Sequence, residues 1–200
     1  MNNQIISWIK IKNNSLNLNH EVTEFQALNL NDLSLQYIEH FKIDYPKLFK
    51  MDILPRMCVI SSSILLRTVD WDKVPAINKS VILMNTSSSF NADLAFQSTL
   101  TIEMPSPAKF VYTLPNIAIG EIAIHHQFKG FNVFYLQEKF DADFTSKYLN
   151  YILDANIAKC ILSGWVEVYN DSYDLFLFLT RNCEEGILLN QENLNKLYSR

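Results

Sequence analysis

The stretch that decides the fold runs from residue 112 to residue 132 and reads YTLPNIAIGEIAIHHQFKGFN. Pro115 suits an early helical position, where its missing N–H leaves no partner unsatisfied, and apolar residues recur around the turns that follow. Glycine in a helix costs about 1 kcal/mol relative to alanine, so we expect Gly120 to pack closely against another backbone. The stretch predicts a largely apolar helix that leads into a strand over residues 132–136.

On both sides of this stretch, apolar runs alternate with polar turns. The runs predict strands at residues 5–11, 81–84, 132–136, 160–168 and 174–179. Apolar periodicity with cap residues predicts helices at residues 31–41, 52–70, 91–100, 115–128, 141–153 and 190–200. The irregular residues between the first strand and Pro46 are predicted to cover this core. Repeated strand–helix–strand units predict an α/β domain with parallel pairing in its centre and an antiparallel last strand.

Composition favours one globular domain over residues 1–200, because 200 residues with 48% hydrophobic content can bury a single core. The net charge of −4 and the scattered lysines and arginines disfavour nucleic acid as a partner. Cys58, Cys160 and Cys183 lack zinc or disulfide spacing, so we expect no metal or cofactor and a reducing cytoplasm. The N-terminus does not resemble a signal peptide, and no run reaches the roughly 18 apolar residues of a membrane span.

The order Tyr112-Thr113-Leu114-Pro115-Asn116 followed by Lys129-Gly130 and Asn132 resembles the ketosynthase branch of the thiolase superfamily. The resemblance runs from about Ser80 to Val168 and is weak before Ser80. It implies the N-terminal half of a β-ketoacyl synthase, a thiolase-like half built as one β-α-β-α-β-α-β-β unit. Its central sheet is expected to be mixed, mostly parallel and flanked by helices.

The position of the catalytic nucleophile departs from this family. In an active ketosynthase the strand after the lysine-glycine step ends in a cysteine, and counting from Asn132 places that position on Lys139, after Gln137 and Glu138. Lysine cannot replace a thiolate in acyl transfer from a thioester, and the sequence supplies no apolar enclosure to activate its amine. We therefore expect no catalytic residue here. The chain also matches only the first of the two ketosynthase halves, so local helices or another chain must cover the face that would meet the second half.

Chain-length factors are relatives of ketosynthases that lack the cysteine and pair with an active ketosynthase. The resemblance implies a subunit of this non-catalytic kind, with acyl carrier protein as an indirect partner. Similar short members accompany genes for aryl polyene and flexirubin pigments. Candidates for the partner interface or the wall of an acyl tunnel lie on the predicted helix and strand: Pro115, Asn116, Gly120, Phe131, Asn132, Phe134, Tyr135 and Leu136.

Two other functions stay open. The chain could be a small acyl-transfer or hydrolytic enzyme whose nucleophile has moved to another cysteine, to Lys139 or to a serine among residues 87–89. It could also be a homodimer that binds acyl chains without a ketosynthase. His125 and His126 point about 100° apart on a helix, which favours packing over a metal site. Asp141 and Asp143 fit helix capping better than acid–base catalysis.

Overall fold

The computed structural model describes residues 2–71 and 73–200, and its centre is one mixed β-sheet. The strands are β1 (Asn2–Lys12), β2 (Ser15–Leu18), β3 (Glu21–Glu24), β4 (Lys79–Asn85), β5 (Asn132–Leu136), β6 (Cys160–Tyr169), β7 (Ser172–Cys183) and β8 (Ile187–Leu188). The helices are α1 (Leu30–His40), α2 (Ile53–Leu66), α3 (Phe90–Thr101), α4 (Pro107–Val111), α5 (Asn116–His126), α6 (Ala142–Asp154) and α7 (Gln191–Tyr198). Short 3-10 turns cover Pro46–Lys50 and Ala76–Asn78.

The strand order is β3-β2-β1-β7-β6-β4-β5, and β8 pairs with β1. Strand β4 runs parallel to β5 and to β6, with Val81 opposite Asn132 and Lys79 opposite Cys160. The other observed pairings are antiparallel. The expected α/β class with a mixed sheet is confirmed. Parallel pairing is confined to β5, β4 and β6, which follow one another through helical crossovers and lie side by side in the sheet.

The antiparallel side of the sheet includes a hairpin that sequence patterns did not predict. Strands β2 and β3 have four residues each and lie where we expected only an irregular cover. Asn13 and Asn14 both have left-handed backbones, with φ of 51° and 61°, as two-residue hairpin turns require. Strand β1 thus continues directly into β2, and the cover is completed by α1.

Helix α2 forms the centre of one layer. Twelve of its fourteen residues are buried, and the side chain of Asp52 caps its first turn by accepting from the N–H of Leu54. It lies between the sheet and α1, whose Leu33 and Tyr37 are fully buried. The predicted end near residue 70 is too late, because the chain turns at Thr68, which bonds the carbonyl of Leu65.

Helices α6 and α7 cover the opposite face of the sheet. Their apolar residues pack on an aromatic layer from the strands, which includes Trp8, Trp165, Phe176 and Phe178. Both faces of the sheet are therefore covered by helices of this chain. In the described ranges, 2–71 and 73–200, no helix has the length and apolar character needed to cross a membrane.

Candidate functional site

The turn after β5 contains Lys139, the residue at which counting from Asn132 predicts the nucleophile position of a ketosynthase. Glu138 and Lys139 are exposed in this turn, whereas Gln137 is half-buried and donates its N–H to the carbonyl of Asn85 at 2.9 Å. Lys139 has no apolar enclosure of the kind that activates an amine nucleophile. The turn offers no thiol at the end of β5.

The cysteine thiols lie elsewhere. Cys58 is buried in α2 and Cys160 is buried at the start of β6. Burial raises the pKa of the Cys58 thiol far above its usual range and that of Cys160 to about 12. Because the thiolate is the reactive form, neither thiol is suited to attack an acyl thioester.

The polar loop between β4 and α3 closes over the strand ends beside this turn. Glu167 on β6 accepts hydrogen bonds from the N–H of Thr86 at 2.7 Å, from the N–H of Ser87 at 3.3 Å and from the Ser87 hydroxyl. The hydroxyl of Thr86 donates to the carbonyl of Glu138 at 2.9 Å. The carboxyl ends of β4 and β6 and the turn after β5 are therefore joined in one network.

Two of the serines considered as relocated nucleophiles, Ser87 and Ser89, use their hydroxyls in hydrogen bonds within the chain. The hydroxyl of Ser87 bonds Glu167 and the carbonyl of Val168, and that of Ser89 bonds the carbonyl of Thr113. No imidazole accepts from these hydroxyls in the part of the chain that the structure describes. Among the described residues, no imidazole is therefore placed to act as the base for serine attack at these strand ends.

A serine–histidine contact occurs at a different place, where sequence reasoning missed it. The hydroxyl of Ser62 lies 3.0 Å from Nε2 of His126. Ser62 is fully buried in α2 and also donates to the carbonyl of Val59, so substrate cannot reach it. The two residues are 64 positions apart, and no local pattern links them.

The carboxylates after β5 cap α6. Asp141 accepts from the N–H of Phe144 at 2.9 Å, and Asp143 pairs with Lys147 at 2.7 Å on the same helix. Both contacts agree with the structural interpretation of these residues.

At the end of α5, His125 stacks on Tyr45 with ring centroids 4.2 Å apart. Residues 2–71 and 73–200 contain no group of three histidine, cysteine or acidic side chains placed to hold a metal ion.

Strand β5 lies at the edge of the sheet. It pairs only with β4 among the described strands, so its other side presents unpaired backbone groups. The carbonyl of Phe131 and the N–H of Gln137 form hydrogen bonds with β4. In a parallel ladder every second residue directs both its N–H and its C=O to the same neighbour, so the odd-numbered residues between them also bond β4. The N–H and C=O groups of Asn132, Phe134 and Leu136 therefore point outward. The strand carries no lysine or proline to block pairing with another strand.

The side chains of β5 divide between the two faces of the sheet. Phe134 packs toward α2 and α5, whereas Tyr135 packs toward α6 and donates its hydroxyl to Tyr148 at 2.9 Å. Asn132 accepts from the N–H of Val81 at 2.9 Å, which joins the starts of the two parallel strands. Phe131 and Leu136 remain 41% and 59% exposed at the two ends of the strand.

Helix α5 packs beside β5 and carries the other predicted interface residues. Pro115 occupies the N-cap and Asn116 is the first helical residue, exposed to solvent. The expectation that Gly120 contacts another backbone is wrong within this chain, because a Cβ built there meets nothing within 4 Å. The helix buries its other side, where Glu121 pairs with Lys47 at 2.6 Å. Gly120 is therefore available for close approach by another molecule.

Exposed apolar side chains concentrate between α3 and the start of α5. Seven large ones lie within residues 94–114: Leu94, Leu100, Ile102, Met104, Phe110, Val111 and Leu114. Phe96 and Phe110 pack together with centroids 5.3 Å apart and hold α3 against α4. Exposed apolar patches of this kind mark interaction surfaces in soluble proteins.

The fold is similar to that of solved ketosynthase and chain-length-factor proteins. An ishigamide ketosynthase/chain length factor aligns with a TM-score of 0.68 and 13% identity, over 93% of this chain and 63% of that one. The complex of the ketosynthase ApeO with its chain length factor ApeC from Xenorhabdus doucetiae aligns with a TM-score of 0.62 and 11% identity, over 100% of this chain and 91% of the matched chain.

A third complex, of AntDE with the type II polyketide synthase acyl-carrier protein AntF, aligns with a TM-score of 0.63 and 10% identity, over 97% of this chain and 64% of that one. No family model and no curated protein matches the sequence. At these identities the likeness shows the fold alone, a thiolase-like fold of the ketosynthase type. This chain spans less than two thirds of the first and third matched chains.

Proposed function

We propose that this chain is a non-catalytic, chain-length-factor-like subunit that pairs through β5 with an active β-ketoacyl-ACP synthase. The observation that carries this function is the edge of β5, which is unpaired, uncharged and followed by Glu138 and Lys139 instead of a thiol. An open edge strand binds a second strand through its backbone groups. A strand end without a nucleophile cannot catalyse the condensation step itself.

The solved structures support the pairing. Two of the three describe a ketosynthase with its chain length factor, and the third describes a ketosynthase with a carrier protein. In the ApeO–ApeC complex the alignment extends over almost the whole length of the matched chain. A chain of similar length therefore takes part in such an assembly. In this function, carrier protein docks mainly on the ketosynthase and this chain contacts it indirectly.

More specifically, this subunit takes part in the elongation of polyene or polyketide chains in the cytoplasm, as in aryl polyene and flexirubin pathways. Residues beside the partner would shape the space for the growing chain. Phe131, Phe134, Tyr135 and Leu136 on β5 supply apolar surface at the edge, and Pro115, Asn116 and Gly120 supply the adjacent helix face. These positions are the candidates for the wall of an acyl tunnel.

Co-expression with a ketosynthase encoded beside it tests the pairing, with size-exclusion chromatography and light scattering as readouts. Leu136→Lys adds a charge at the outward edge of β5, and we expect it to weaken the complex by about tenfold or more. Val22→Lys is the matched control, because Val22 is 57% exposed on β3 at the opposite edge of the sheet. The control should pair as well as the parent chain.

Three results would contradict this function. The chain could remain monomeric beside the ketosynthase and leave product chain length unchanged. The chain could bind no ketosynthase and instead form a stable dimer with itself, which Leu136→Lys disrupts. That result would support the alternative function, a homodimeric acyl-binding protein. Finally, a covalent acyl adduct after incubation with an acyl-carrier thioester, detected by mass spectrometry, would support the enzyme with a relocated nucleophile.

A further inference from the structure

A cleft lies at the start of β4, at the end of the strand remote from the turn that follows β5. Two adjoining cavities of about 360 and 370 Å³ share Trp71, His125 and His126. Lys42 and Arg67 line one side of the cleft, and Lys79, the first residue of β4, lines the other. None of the described lining residues belongs to the set proposed to pair with a ketosynthase.

Lys79 is the most informative residue of this cleft, because it is only 8% exposed. Its Nζ lies 4.2 Å from the ring centroid of Trp71. Within residues 2–71 and 73–200, no oxygen accepts a hydrogen bond from this Nζ, and no carboxylate forms a salt bridge with it. The Lys79 ammonium lines the cavity and carries three N–H donors, which an anion in the cleft can accept from. The aromatic ring satisfies the charge only in part.

Most of the other charges at the cleft are positive. Lys42 and Arg67 add two cations, and among the described lining residues Asp44 is acidic. The Arg67 guanidinium is held in place by the carbonyls of Phe41 and Lys42. Low-dielectric walls strengthen the field of such clustered charges inside a cleft.

The two imidazoles complete the lining without adding charge. Burial lowers the pKa of His126 to about 3 and also lowers the pKa of His125, so both rings are neutral at pH 7. His126 is held by Ser62, and His125 by stacking on Tyr45. Neutral imidazoles offer hydrogen-bonding nitrogens and flat apolar faces beside the cations.

We propose that this cleft binds a small molecule through an oxyanion, phosphate or carboxylate, with the Lys79 ammonium as its direct ligand. An oxyanion in the cleft would accept hydrogen bonds from the N–H groups of Lys79. Each cavity has the volume usual for small-molecule sites, and Trp71, His125 and His126 provide the apolar contact area that such sites use. Lys42 and Arg67 line the adjoining cavity and add positive charge to the cleft.

The indole N–H resonances of the protein report on this site. The three tryptophans differ in location: Trp71 lines the cleft, whereas Trp8 and Trp165 are 2% and 4% exposed in the core under α6 and α7. Inorganic phosphate, phenyl phosphate and benzoate are titrated separately at constant ionic strength, with Trp71→Phe to assign the signal. We expect a saturable shift of the Trp71 resonance and unchanged positions for the other two.

Substitution at Lys79 decides whether the ammonium binds the anion. Lys79→Met keeps the apolar stem, and we expect it to weaken binding by about tenfold or more. Lys147→Met is the matched control, because Lys147 lies 75% exposed on α6 and should leave the affinity unchanged. Lys79→Gln replaces Lys79→Met if circular dichroism shows that the methionine variant is unfolded.

The three probes also separate the sources of the anion. Phenyl phosphate or benzoate binding more tightly than inorganic phosphate indicates an organic anion, and equal affinities of the two phosphates indicate free phosphate; either supports the site. The site is disproved if no probe shifts Trp71 in a saturable manner. It is also disproved if Lys79→Met and Lys79→Gln, where folded, bind as tightly as the parent chain.

Discussion

Gly130 and Lys79 lie in direct contact where the chain enters β5. The N–H of Gly130 donates to the carbonyl of Lys79 at 2.9 Å, and a Cβ on Gly130 would lie only 2.5 Å from the same oxygen. Ser80 Oγ would be 2.7 Å away. The glycine of the lysine-glycine step is therefore required because the start of β5 meets the start of β4 backbone to backbone.

Gly130→Ala should consequently destabilise the protein. The obstructing atoms belong mainly to backbone, which cannot move without disturbing the β4–β5 pairing, so we expect a loss of about 1–3 kcal/mol in the free energy of unfolding. Urea unfolding followed by circular dichroism measures it. A variant as stable as the parent chain would show that this contact does not restrict position 130.

Gly120→Ala should have the opposite effect on the isolated chain. The position is helical and has open space around it, so alanine should stabilise α5 by up to about 1 kcal/mol. The added methyl group lies on the helix face proposed to meet the partner. We therefore expect higher thermal stability together with weaker binding to a ketosynthase, and unchanged binding would remove Gly120 from the interface.

Local sequence patterns predicted much of the sheet correctly. The predicted strand at residues 132–136 coincides with β5, and the strands at 81–84 and 160–168 fall within β4 and β6. These strands have short apolar runs between polar turns, and Asp141 caps α6 as expected. Apolar period and cap chemistry are local properties, so one sequence is sufficient to find them.

Other features depend on contacts that no local pattern shows. The helix predicted from residue 91 begins at Phe90 with Ser89 at its N-cap, and the Asn91 side chain bonds the backbone of Asn170. Similarly, the helix predicted from residue 31 begins at Leu30 and is capped by Asn29. The link between Glu167 and Ser87 joins residues 80 positions apart. Tertiary partners thus decided which polar residue took each role.

The network at the strand ends can be tested through Glu167. Glu167→Gln replaces a carboxylate acceptor with an amide whose single oxygen cannot hold all three donors from Thr86 and Ser87. We expect a loss of about 1–3 kcal/mol in stability and faster proteolysis within the loop at residues 86–89. Glu192→Gln is the control, because Glu192 is 74% exposed on α7. Equal protection of the loop in both variants would argue against the network.

A buried ion pair lies beside this network, because Asp174 is opposite Glu167 in the β6–β7 pairing. Asp174 on β7 binds the ammonium of Lys10, which is 5% exposed, and accepts from the hydroxyl of Tyr198 at 3.0 Å. Asp174→Asn would leave the Lys10 charge buried without its partner, and we expect a loss of about 3–5 kcal/mol. Asp143→Asn breaks an exposed pair and should change stability by about 0.5 kcal/mol at most. Urea unfolding distinguishes the two, and similar small losses would show that Lys10 finds another partner.

His126 should make the protein sensitive to acid. Burial lowers its pKa from 6.5 to about 3, so the folded chain excludes a proton that the unfolded chain binds below pH 6.5. Above that pH the ring is neutral in both states, so His126 adds no pH dependence to the free energy of unfolding. As the pH falls from 6.5 toward 3, the unfolded state is favoured by at most about 1.4 kcal/mol per pH unit. His126→Gln should therefore reduce the slope of the unfolding free energy against pH in this range, as measured by urea unfolding at each pH. Some slope remains because burial also lowers the pKa of His125. His40→Gln, at an exposed position, should retain the full slope, and an equal slope in both variants would show that His126 is protonated without cost in the folded state.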